Sequence, residues 1–354
     1  MSHFTRFLSV GFVLCFAVST QRLAQSQDRV LHDAVRHGDL NRVKKLLDEG
    51  ADVNAEVENH FTPIYFADDP KIVDLLLAHK PKLNIPTAPL EHAAELFYRD
   101  KKRAEVWRTI VGKLRTAGAE YTVNAAIYLN DVDYVRQQLA KDDSWVSRCG
   151  GAQSVPLRIA ARTGREEICK LLLKHRADPD DFEQGMGYPI MVNAVAHPSV
   201  VKLLIDAGAN LRRRITWLAS RSGFWIIGDE ATALHFAAEE GNVESCRLLI
   251  QTGLDVNAAD VEGQTPLHVA LHAERFIASY EFVRSGENGK NTKQFSDVVR
   301  YLLENDASLR FTDKHGKTVV DVAKTINSPK VIQELLNKYQ AKWDRRFREA
   351  IFAR

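Results

Sequence analysis

Residues Thr232 to Ala258 read TALHFAAEEGNVESCRLLIQTGLDVNA, and at Thr265, 33 residues after Thr232, TPLHVAL starts the same phrase again. The local chemistry of this phrase describes two short helices and a turn. Gly263 suits a turn position of positive φ. Thr265 is placed as an N-cap whose hydroxyl accepts from an N–H of the first turn, and Pro266 at the first helical position has no N–H to waste. Leu267 and Ala270, three apart, share one face of the first helix, and the small Ala lets neighbouring helices approach closely. Gly241-Asn242 breaks the chain. Val243, Cys246, Leu249 and Ile250 then form the apolar stripe of a second helix, which Gly253 ends.

The phrase recurs along the chain. VPLRIAARTGREEICKLLLKHRADPD starts at Val155 and YPIMVNAVAHPSVVKLLIDAGANL at Tyr188, again 33 apart. VLHDAVRHGDLNRVKKLLDEGADVNA has its register at Arg29, 33 before Thr62 of FTPIYFADDPKIVDLLLAHKPKLN, and Thr318 of KTVVDVAKTINSPKVIQELL holds the same place. One such unit cannot bury its own apolar face, so several must stack. With its TPLH-x-A start, Gly-Asn turn, Leu-Leu-Ile run and GADVNA end, the repeat resembles the ankyrin repeat over nearly the whole chain after the N-terminus. The resemblance implies an all-α ankyrin-repeat solenoid, an α-α superhelix with short hairpin loops, of about nine units, several of them degenerate.

His268 and His272 lie four apart, as metal ligands on one helix face would. A third ligand and the catalytic Glu of an HExxH helix are missing. His268 is the His of the TPLH element and His235 holds that slot one repeat earlier; the resemblance implies that it ties down the turn. His272 is placed on the exposed, concave side of the first helix. No metal and no cofactor is expected.

The departures from the repeat carry the functional reading. Thr62 to Ala88 is only 26 residues, and Asp68-Asp69-Pro70 cuts the first helix short. The segment AAELFYRDKKRAEVWRTIVGKLRTAGAE is overlong and leaves no room for a hairpin before YTVNAAIYL, so residues 61–143 are expected to be distorted. Tyr188 to Thr232 is 44 residues, with the excess at 211–230; Thr265 to Thr318 is 53, with the excess at 274–295. The first insertion gathers Arg212, Arg213, Arg214 and Arg221 with Trp217, Phe224 and Trp225, residue types enriched in binding hot spots. The resemblance implies that hairpin tips and the concave helix face carry partner contacts. These seven residues, with His272, are the candidate partner-binding set, and the competing reading of the aromatics is a plug folded on the array.

The remaining composition bounds the setting. Leu8 to Val18 is an uncharged apolar run after Arg6, followed by Ala24-Gln25-Ser26, so residues 1–26 read as a signal peptide, with Ala17-Val18-Ser19 a second possible cut, and a secreted or periplasmic location is expected. Without them the chain has 46 basic and 46 acidic residues, no basic surplus of the kind a nucleic-acid binder shows. Cys149, Cys169 and Cys246 make no disulfide framework and no CxxC. Residues 27–337 are read as the repeat array. Residues 338–354 carry Tyr339, Trp343, Phe347 and Ile351 every four residues among basic ones, an amphipathic helix read as a cap. The expected function is binding of an unidentified protein partner by a monomeric chain that is not an enzyme. The alternatives are a hydrolase or metal-dependent enzyme built on the insertions, and a membrane-associated scaffold.

Overall fold

The computed structural model describes residues 29–57, 60–146, 156–181, 189–215, 227–273 and 292–352, and side chains within the last stretch from 294 to 342. The chain divides into two compact units, to Val135 and from Arg136. Among the described residues every element is helical apart from three isolated antiparallel bridges, Val57↔Phe61, Ile215↔Ala231 and Thr312↔Thr318.

The first unit is built of helix pairs. α1 (29–36) is followed by α2 (Leu40–Asp48), started by Asp39, whose carboxylate accepts from the Arg42 amide at 3.0 Å. The next pair opens with a 3-10 turn, Pro63–Phe66, in place of a helix, followed by α3 (Pro70–Ala78). Pro70 enforces this: the residue before a proline is pushed out of the helical region, and Asp69 is extended at φ −113°, ψ 122°. Its carboxylate then caps α3 through the Lys71 amide at 2.7 Å. α4 (Pro89–Arg99) and α5 (Ala104–Thr116) pack on each other, α4 packs on α6 (Val123–Leu129), and α3 packs on both α2 and α5. α7 (Val132–Lys141) runs across the boundary between the units. Leu31, Val35, Val43, Ile72, Leu76, Leu90, Ile110, Leu114 and Ile127 fill the core.

In the second unit five pairs follow: α8 (Pro156–Thr163) with α9 (Glu166–Lys174), α10 (Ile190–Ala194) with α11 (Pro198–Asp206), α12 (Ala233–Glu239) with α13 (Val243–Gln251), α14 (266–273) with α15 (Thr292–Glu304), and α16 (Val319–Thr325) with α17 (Lys330–Phe352). First helices pack on first helices, α8 on α10 and α10 on α12. Second helices pack on second helices in the order α9, α11, α13, α15, α17. This is an ankyrin solenoid: each pair covers the apolar face its neighbour cannot cover alone. Small residues permit the close approach, with Ala160, Ala194, Ala237 and Ala270 all fully buried in the first helices.

The stripe of α13 differs from its sequence reading. Cys246 and Leu249 are fully buried, but Val243 and Ile250 are half-buried. Ser245 takes a core position instead, its hydroxyl donating to the Val195 carbonyl at 2.7 Å, 50 residues earlier. A buried hydroxyl is tolerated because it is bonded.

Candidate functional site

Three histidines hold the same slot in their units. His32, His235 and His268 are buried, each three residues after the register positions Arg29, Thr232 and Thr265. At His235 the Thr232 amide donates to Nδ1 at 3.1 Å, so Nδ1 carries no hydrogen, and Nε2 donates to the Gln264 carbonyl at 3.0 Å. His32 makes the same forward bond, Nε2 to the Phe61 carbonyl at 3.1 Å. Both reach 29 residues ahead, to the residue before the next repeat's threonine. At His268 the Thr265 hydroxyl and amide lie 2.9 and 3.3 Å from Nδ1, while Nε2 is buried with no hydrogen-bond partner in reach among the described residues. The Thr265 hydroxyl donates to the imidazole, and at the equivalent Thr232 the side chain also accepts from the His235 amide, closing a capping box. Thr122 and Thr318 accept the equivalent amides, from Ala125 and Asp321. Burial pushes His235 and His268 down to about 4, which keeps both rings neutral.

A second ladder, missed in the sequence, runs along the turns. The Asn54 carboxamide accepts from the Lys82 amide at 2.6 Å, Asn84 from Glu120 at 2.7 Å and Asn257 from Ser308 at 2.7 Å; the Asp180 carboxylate accepts from Asn210 at 2.6 Å. Asn54, Asp180 and Asn257 close the D-x-N and D-x-D ends of their repeats, and Asn84 the corresponding Lys-x-Asn end. Their recurrence was the signal, but the partner's position in the next repeat could not be read from it.

The base of the 211–230 insertion is stitched to both neighbours. Arg213 reaches back, Nη1 donating to the Asp180 carbonyl at 3.0 Å. Arg214 reaches across and forward, Nη1 donating to the carbonyls of Glu230 at 2.9 Å and Ala259 at 3.1 Å. Ile215 bridges Ala231 and is buried. On the returning strand the Gly228 amide donates to the Asp260 carboxylate at 2.8 Å, and the Val261 amide to the Asp229 carbonyl at 2.8 Å. Two of the three consecutive arginines, half-buried Arg213 and exposed Arg214, therefore hold the loop's base; Arg212 is exposed as well. Trp217, Arg221, Phe224 and Trp225 lie outside the described residues.

His272 is half-buried, where the sequence placed it as exposed. Burial is the main cause of the low pKa of His268, and charge on His272 lowers it further. Glu239 holds the same register in the preceding repeat, seven residues after Thr232 as His272 is after Thr265. Burial, then the charge of Glu240, pushes Glu239 up to about 7. Arg158 stands in the histidine slot of its repeat and forms a buried ion pair with Asp181 at 3.7 Å. The thiols of Cys169 and Cys246 are fully buried and pushed up to about 12 by desolvation, which removes the thiolate needed for reactivity. Cys149 lies outside the described residues. Among the described residues no group of three His, Cys, Asp or Glu side chains is placed to hold a metal ion. No helix among them is long and apolar enough to cross a membrane.

Comparison with known proteins agrees with this geometry. The model for three copies of the ankyrin repeat matches residues 197–285, and the single ankyrin repeat matches 29–56 and 154–182. The chain belongs to the ankyrin-repeat family. It is 38% identical over 92 residues to protein phosphatase 1 regulatory subunit 12A of Mus musculus, covering 26% of this chain and 7% of that protein. It is 29% identical over 190 residues to ankyrin repeat and SOCS box protein 6 of Homo sapiens, 51% of this chain and 38% of that one. With the E3 ubiquitin-protein ligase KEG of Arabidopsis thaliana it shares 28% over 163 residues, 46% and 8% of the two chains. The matched stretches thus span well under half of each relative. The repeats and these relatives support a role in protein–protein interaction.

Proposed function

We propose that this chain is an exported ankyrin-repeat protein that binds a protein partner through the concave face of its first helices and the 211–230 insertion. The observation that carries this reading is the base of that insertion. Arg213 and Arg214 fix it to the repeats on both sides through the carbonyls of Asp180 and Ala259, and Arg214 also closes its base through the Glu230 carbonyl. Holding both ends of a loop lowers the ordering cost of binding through it. Stacking does not require the insertion, because the other units close without it. Its arginines and aromatics are the residue types that dominate interface energetics. The rigid array and the neutral, water-excluded histidines supply the scaffold; no step of chemistry is asked of it.

Two measurements on one pair of variants test the site. Trp217→Ala and Trp225→Ala are each expected to weaken partner capture by about 2 kcal/mol or more and to leave the melting temperature nearly unchanged. A large fall in melting temperature with intact capture would assign the aromatics to a plug and reject the site. Export rests on the N-terminal apolar run; sequencing the N-terminus of the mature protein is expected to find a start near Thr20 or Gln27. A product starting at Met1 would contradict it.

A further inference from the structure

The third helix pair departs from the others in a second, independent way. α4 has 11 residues and α5 has 13, against 7 in α6 and 9 in each of α2 and α3. α4 and α6 each start one residue after the N-cap, and α5 ends at Ala117-Gly118 as α2 ends at Glu49-Gly50, both glycines at positive φ. The extra length therefore lies at the α4–α5 turn, which carries both helices roughly 6 Å further than their neighbours at ~1.5 Å per residue. A 3-10 turn, Lys101–Arg103, closes this extension.

Charge is segregated onto the end of α4, the turn and α5. Residues 97–116 hold seven Lys or Arg and two acids, whereas the rest of 29–135 holds eight and fifteen. Asp100 is spent on the turn, accepting from the Arg103 amide at 3.3 Å and from Trp107 Nε1 at 3.4 Å. Arg103 is tied to Asp68 at 2.7 Å and Lys113 to Asp74 at 2.6 Å, holding α5 to α3. Arg99 pairs with half-buried Glu95 at 3.5 Å and Arg108 with Glu105 at 3.2 Å, the latter a pair exposed on both sides that exchanges readily with another carboxylate. Lys102 is exposed. Phe97, half-buried, lies between two cations: Lys101 Nζ is 5.9 Å and Arg108 Cζ 5.4 Å from its ring centre, and Lys101 is also 4.5 Å from Tyr98. Cations held over rings are already ordered, which lowers the cost of fixing them on a ligand.

We infer that the α4–α5 extension is a second docking surface, for an extended acidic peptide segment that sets carboxylates against Lys101, Lys102 and Arg108 and an apolar side chain against Phe97. It rests on the protein-binding reading of the family but not on the 211–230 insertion. Apolar contact between separated cations suits a peptide of mixed acidic and apolar residues better than the continuous charge of a nucleic-acid backbone.

The test is fluorescence anisotropy on the full chain. The probes are a labelled peptide alternating glutamate with phenylalanine, its glutamine counterpart, and a single-stranded oligothymidylate of equal length. The glutamate peptide is expected to bind and the glutamine peptide not. The double variant Lys101→Glu, Arg108→Glu is expected to weaken binding about tenfold or more, as reversal of complementary charge does, and Phe97→Ala to weaken it as well. Lys44→Glu, an exposed charge on α2, is expected to leave it within about twofold. Equal weakening by Lys44→Glu, equal binding of the oligothymidylate, or no binding of the glutamate peptide would overturn the inference. Should the double variant unfold, Lys101→Gln with Arg108→Gln gives the same reading. Trp217→Ala is expected to leave peptide binding unchanged, so a failure here with Trp-dependent partner capture intact rejects this surface alone.

Discussion

At His235 one imidazole does two things, closing its own turn through Nδ1 and bonding the next repeat through Nε2, and His268 repeats the first of these bonds. Both are neutral when folded, at about 4 against 6.5 for the free side chain. Between those values the unfolded chain binds a proton at each site that the folded chain refuses, so stability falls as the pH falls. The loss approaches the order of 3 kcal/mol per histidine at the low end. Glu239 works in the opposite sense. Its folded value of about 7 lies above the usual 4.5, so the folded chain takes up its proton first and gains stability on acidification. Thermal melts from pH 7.5 to 4.5 are expected to show a falling midpoint, and the fall is expected to be steeper in Glu239→Gln. At pH 8 that variant is expected to melt higher than the parent, because a half-buried carboxylate no longer has to ionise. A profile unchanged by the substitution would show that Glu239 titrates normally. The structural role of His268 was legible because its slot repeats in His235 and a third metal ligand was missing. The half-buried setting of His272 was not, because exposure depends on what packs beside it.

Helix starts and stops were legible wherever a residue has a covalent reason to be there. Pro198 opens α11, and Gly50, Gly208 and Gly253 follow second helices at positive φ. Pro70 likewise limits the preceding element to a 3-10 turn. Helix length was less legible: the extension of α4 and α5 keeps the apolar spacing, so the overlong segment could be located but not its direction of growth. The asparagine ladder shows the same limit, since its partners lie 28 to 51 residues away. Asn257 holds the following loop from both sides of its amide, accepting from the Ser308 amide at 2.7 Å and donating to the Asp306 carbonyl at 3.2 Å. Asn257→Ala is expected to cost about 1–3 kcal/mol in urea unfolding, because one donor and one acceptor lose their partners, with little change in the slope against urea. A loss below about 0.3 kcal/mol would show that water replaces the ladder bond.

For the chain as a whole, the period of 33 settled the fold, because only stacking lets units of that size bury their apolar stripes. Function was legible to the level of protein binding. The arginines of the 211–230 insertion illustrate why the finer reading needs the structure: of three equivalent residues in sequence, the guanidinium groups of Arg213 and Arg214 clamp the loop's base, the first half-buried and the second exposed like Arg212. The account holds that a partner engages the face of the first helices together with that insertion. Hydrogen–deuterium exchange of the protein with and without its bound partner tests this most directly. Peptides covering 211–230 and the first helices α10, α12 and α14 are expected to gain protection, and those covering the second helices α9, α11 and α13 to stay as they were. Protection confined to the second helices, with 211–230 unchanged, would contradict it.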